Sequence, residues 1–113
     1  MKRHFLSNFE AMEQKKFLKR IKQAILTIDD KAEIILFGSR ARGDAGKDSD
    51  WDILVVTDKQ AGIALQNSIR DRIYDIELEY LQPVSTIILD KPHWNKISIT
   101  GFYENVMKEG VAI

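Results

Sequence analysis

The stretch Leu36-Phe37-Gly38-Ser39-Arg40-Ala41-Arg42-Gly43, continued by Ser49-Asp50-Trp51-Asp52-Ile53-Leu54-Val55-Val56, decides how this chain is read. It spells a strand, a glycine turn, a short helical turn, a polar loop and a second strand. Asp50 and Asp52 stand two residues apart at the head of the second strand, and side chains at i and i+2 of a strand project to one face. Such a pair suits Mg²⁺, which takes one or two carboxylates together with substrate phosphates. Gly38 lets the backbone approach a ligand closely, and free N–H groups at the helix start opened by Gly38-Ser39 can cradle an anion. A metal on one side and phosphates on the other outline a nucleotide site. Two acids at the mouth of an apolar strand repel each other unless a cation or a proton intervenes. That cost favours a functional pair over two merely solvated acids.

The flanks are consistent with this reading. Residues 32–37 form a short apolar run rich in β-branched and aromatic residues, a buried strand that Gly38 stops. Ile53 to Val56 is apolar on both strand faces, as in a central strand covered on both sides. The glycine turn is not a Walker loop, because the downstream Gly-Lys-Ser/Thr is missing. Arg40 reads as structural. Arg42 suits bidentate anion contacts and either binds phosphate or ribose or pins the loop to an acid. Residues 43–48 are loop by composition, long enough to return the acids beside the turn, and Ser49 caps or orients locally.

Further out, residues 1–31 read as a helix, with Ser7 and Glu10 as a capping box and Phe9, Met12, Leu18, Ile21, Ile25 and Ile28 as its apolar stripe. The lysines and Arg20 between them read as a solvated face. Residues 59–73 form a second helix. Tyr74-Asp75-Ile76-Glu77-Leu78-Glu79-Tyr80-Leu81 alternates strictly with period two, which predicts a strand with Asp75, Glu77 and Glu79 on one face. Val84 to Leu89 is a further strand behind Pro83, Asp90 to Trp94 a turn, and Phe102 to Glu109 a helix facing the core with Phe102, Val106 and Tyr103. Gly110 ends that helix, and an apolar tail follows. His4 and His93 are lone histidines without a ligand partner at useful spacing.

Composition sets the outer bounds. The chain has 113 residues, 44% hydrophobic and 30% charged, which fits one domain over residues 1–113 with a single core. No apolar run approaches the roughly 20 residues that span a bilayer, and Met1-Lys2-Arg3-His4 does not open a signal peptide. With no cysteine, disulfides and thiolate zinc sites are excluded, and a cytoplasmic location is the default expectation. A net charge of zero argues against direct nucleic-acid binding.

The order Gly-Ser, ten residues, Asp-x-Asp and an apolar run resembles the nucleotidyltransferase signature of the DNA polymerase beta superfamily. In so short a chain, the wording Gly38-Ser39-Arg40-Ala41-Arg42-Gly43 is similar to the minimal nucleotidyltransferase (MNT) domains of bacteria and archaea. The resemblance implies an α/β (α+β) fold: a small mixed sheet of about four strands, with helices packed mainly on one side. It implies two Mg²⁺ ions held by Asp50, Asp52 and a third carboxylate from a neighbouring strand. Glu79, four residues before Pro83, is the residue so selected, with Glu77 as the alternative, although the family position is usually aspartate. In that scheme ATP is the substrate, Gly38 and Ser39 hold its β- and γ-phosphates, and Glu79 helps to deprotonate the acceptor. The resemblance further implies a HEPN-domain toxin as partner, silenced by AMP transfer to a tyrosine, the chain acting as antitoxin. Two other classes stay open: a small-molecule nucleotidyltransferase of the aminoglycoside type, and a non-catalytic antitoxin that neutralises its partner by binding alone. Oligomeric state is not written in the sequence.

Overall fold

The computed structural model describes residues 8–113; Ser7 of the capping box and His4 lie outside them. The elements are α1 (Asn8–Ile28), β1 (Glu33–Phe37), α2 (Gly38–Arg42), β2 (Trp51–Thr57), α3 (Ile63–Tyr80), β3 (Val84–Asp90), α4 (Lys91–Lys96), α5 (Gly101–Glu109) and β4 (Val111–Ala112). The four strands make one mixed sheet in the order β3-β2-β1-β4. β1 runs antiparallel to β2 and to β4, while β2 and β3 are parallel, a pairing that requires the α3 crossover between them.

Strand alternation sorts the core into two. Ile34 and Leu36 of β1 and Trp51, Ile53 and Val55 of β2 face α1 and α3, where they meet Phe17, Ile21, Ile25, Ile69, Ile73 and Ile76. Leu54 and Val56 of β2, with Ile35, Phe37, Ile87 and Leu89, face α4 and α5 and pack on Trp94 and Val106. The two long helices therefore cover one face and the two short ones the other. This accounts for the unbroken apolar run of β2, buried from Ile53 to Thr57. Among the described residues no helix is long and apolar enough to cross a membrane.

Three expectations are corrected here. The largest concerns residues 74–81, which are not a strand but the C-terminal half of α3. Ile69, Ile73, Ile76 and Tyr80 recur at helical spacing; the first three are buried and Tyr80 packs on Phe17. Leu78, which a strand would bury beside Ile76, is 57% exposed. Eight residues of alternation also fit a helix whose buried stripe began earlier, and the longer period wins. Leu81 stops the helix in the left-handed region at φ 53°, its N–H bonded to the Glu77 carbonyl. Residues 91–96 form a helix rather than a turn, capped by the Asp90 carboxylate, which accepts the His93 N–H at 3.0 Å. In α1 the buried stripe is Phe17, Ile21 and Ile25, while Phe9 and Met12 are exposed.

Candidate functional site

Phe37 is extended and the chain then turns sharply: Gly38 has φ 72° and opens α2, and Gly43 has φ 82° and ends it. A Cβ on Gly38 would overlap Asp52 Oδ2 and come within 3.1 Å of its Cγ. Two constraints therefore select glycine, the positive φ and the carboxylate against its α-carbon. The first amides of α2 have no side-chain cap, since Phe37 occupies the N-cap. The register pairs Phe37 with Asp52 across the antiparallel β1–β2 ladder, so the turn and the second acid are neighbours by strand pairing.

Arg40 organises the loop that delivers Asp50. Its guanidinium lies 4.5 Å from the centroid of Trp51, a cation–π arrangement, and it donates to the carbonyls of Ser49 (3.0 Å) and Lys47 (3.2 Å). Trp51 is fixed in turn by its indole N–H, which donates to Gln82 at 3.0 Å, and by the Phe17 ring. Ser49 Oγ accepts the Gly46 N–H at 2.9 Å and tightens the same loop. Arg42 donates to Asp44 at 3.1 Å and to Glu109 of α5 at 3.3 Å. It is thereby pinned to acids, yet near enough to Asp52 for its positive charge to oppose the rise in that carboxyl's pKa.

Asp52 is half-buried. Burial pushes its carboxyl above the usual aspartate range, and the charge of Asp50 pushes it further. The two acids are thus electrostatic neighbours, and ionising both is costly here. Glu77 is raised too, first by burial, and Asp50 adds to the effect although the Val84 N–H opposes it. The charge of Asp50 therefore reaches both Asp52 and Glu77.

Glu79 is not brought to this site. It lies on the exposed side of α3 and is ion-paired with Arg20 of α1, both side chains about half exposed. A helix turns each successive residue by about 100°, so Glu77 and Glu79, two residues apart, project about 200° from each other and do not share a face. On β3 the residue paired with Asp52 is Ser85. Among the described residues no three histidine or acidic side chains cluster closely enough to hold a metal ion. The three-carboxylate, two-ion set expected for Asp50, Asp52 and Glu79 is therefore not assembled. What remains is the Asp50/Asp52 pair, a donor set that fits one hard divalent ion completed by phosphate and water oxygens.

Sequence reasoning missed two residues of this neighbourhood, Ser85 beside Asp52 and Glu109 on Arg42. Reading the Ile69-Ile73-Ile76-Tyr80 spacing as helical would have made Val84 to Asp90 the crossover strand next to β2. Ser85 then follows. Nothing in the local sequence marks Glu109, which depends on how α5 packs.

Residues 14–113 match the family model described as a nucleotidyltransferase domain. Two proteins of Methanocaldococcus jannaschii, each named "Putative protein adenylyltransferase", are similar along most of their length. One is 33% identical over 97 residues, covering 81% of this chain and 92% of that protein. The other is 32% identical over 104 residues, covering 90% of this chain and all of that protein. In fold, the chain is similar to one from a crystal structure of a toxin–antitoxin with AMP-PNP, at a TM-score of 0.60 and 20% identity, covering 83% of this chain and 69% of that one.

Proposed function

The chain belongs to the nucleotidyltransferase domain family, and from that premise we propose that it transfers AMP from ATP to a hydroxyl of a partner protein. The observation that carries the reading is the contact between Gly38 and Asp52, which sets a glycine turn with uncapped amides against a carboxylate pair. The amides of Gly38 and Ser39 and the Ser39 hydroxyl receive the β- and γ-phosphates. Asp50 and Asp52 are the residues that would hold a Mg²⁺ ion, which would supply positive charge to offset the charge of the transferred phosphate. Arg42, released from Asp44 or Glu109, is available to a phosphate or ribose oxygen.

The reaction forms one bond and breaks one. The acceptor oxygen attacks the α-phosphorus, the bond to the bridging α–β oxygen breaks, pyrophosphate leaves, and the hydroxyl proton passes to solvent. The protein acceptor draws on the naming of the two M. jannaschii relatives. The antitoxin role, with a HEPN-type toxin tyrosine as acceptor, extends the MNT resemblance and takes its cue from the toxin–antitoxin chain of similar fold. The test is transfer of label from α-labelled ATP, with Mg²⁺, to the product of the adjacent gene. Label should appear on the wild-type protein's partner and vanish with Asp50→Ala/Asp52→Ala. The unassembled three-acid set favours one second reading, neutralisation by binding alone. An unlabelled partner held equally tightly by both forms would select it.

A further inference from the structure

We infer that the site takes a single divalent cation with its nucleotide, and that Ser85 is the residue that sets the number. The inference rests on the transferase reading above and concerns how that same site is built.

A second ion, about 3.5–4 Å from the first in two-metal sites, needs a further charged oxygen on the sheet face that Asp52 occupies. The backbone fixes which side chains share that face. Asp52 pairs with Phe37 on β1 and with Ser85 on β3. Further along the same ladder, Leu54 pairs with Ile87 and Val56 with Leu89. All four of these lie in the core under α4 and α5, so paired positions on β2 and β3 point the same way and Ser85 stands on the Asp52 side. Phe37 is committed to an edge-on contact with Phe102. Ser85 is thus the neighbouring-strand position beside the acid, and it offers a neutral hydroxyl. Mg²⁺ gives up its water reluctantly and is held by carboxylates and phosphates, so a hydroxyl alone does not recruit another ion.

Three further acids belong to other elements or other partners. Glu77 belongs to α3, which packs on the opposite face of the sheet, although the charge of Asp50 reaches it. Glu79 is held by Arg20 and Glu109 by Arg42.

Counting Mn²⁺ by electron paramagnetic resonance against bound AMP-PNP tests the inference without turnover. The wild type should hold one protein-bound Mn²⁺ per bound AMP-PNP, Ser85→Ala the same, and Ser85→Asp two. Ser85 is exposed, so the aspartate needs no repacking, and circular dichroism checks the fold. Two Mn²⁺ in the wild type overturn the inference and leave the transferase reading intact. One Mn²⁺ in a folded Ser85→Asp variant overturns the assignment to Ser85. Failure of the wild type to bind AMP-PNP at all sinks the transferase reading, and the inference with it.

Discussion

At the scale of single residues, Gly38 and Asp52 are tied to each other. Gly38→Ala forces a Cβ into a left-handed backbone position and against the Asp52 carboxylate. A strained positive φ alone costs about 1 kcal/mol or more, so the variant should melt measurably lower and lose nucleotide binding, read by calorimetry and by AMP-PNP titration. Asp52 makes the opposite trade. Its carboxyl is raised in the folded protein by burial and by Asp50, so the native state holds its proton longer than the unfolded chain does. Stability from this group therefore falls as pH rises from the unfolded value through the raised folded value, then levels off. Asp52→Asn should remove that limb. At neutral pH it should unfold no more readily than the wild type in urea, while AMP transfer is abolished. The Gly-Ser turn and the Asp-x-Asp pair were legible in the sequence because both are local. Their juxtaposition needs only one hairpin-like return of the chain, held by Arg40.

At the scale of elements, α3 is where the sequence misled. Tyr74 to Leu81 alternates with period two, but the segment joins a helix whose buried positions, Ile69, Ile73 and Ile76, were set further upstream. Asp, Glu, Leu and Tyr are all acceptable in a helix, and tertiary packing rather than local pattern decides such short segments. The error carried Glu79 into the site. On α3 that residue instead links two helices through Arg20, with both side chains about half exposed. Such pairs contribute less than about 1 kcal/mol. Glu79→Gln should therefore shift the urea midpoint only slightly and leave the rate of AMP transfer near that of the wild type. A hundredfold loss of rate with an unchanged midpoint would return Glu79 to the chemistry.

At the scale of the whole molecule, one sheet separates two jobs. The Gly38 turn and the acid pair sit at the end where β1 leaves the sheet and β2 enters it. The far end of β2 is closed by Asp29, buried at the end of α1, whose carboxylate accepts the Thr57 hydroxyl and the N–H groups of Asp58 (2.9 Å) and Lys31 (3.0 Å). Burial raises this carboxyl, but the Thr57 bond and the two amides outweigh it and hold it below the ordinary aspartate range. Its contribution to stability is present above the unfolded value and is lost as pH falls through the lowered folded one. Asp29→Ala strands a buried hydroxyl and an amide, at about 1–3 kcal/mol, and should flatten the acid limb of the stability profile without changing transfer. None of this was legible in Asp29-Asp30-Lys31, which reads only as a helix end.

The proposed transfer requires the Asp50/Asp52 pair to act on the α-phosphate of a nucleotide. The direct test compares ATP labelled at the α-phosphorus with ATP labelled at the γ-phosphorus, each incubated with the partner protein and either the wild type or Asp52→Asn. The α-label should pass to the partner in the wild type only, and the γ-label should leave as pyrophosphate. Transfer of the γ-label to the partner, or α-labelling undiminished by Asp52→Asn, would rule out AMP transfer by this acid pair.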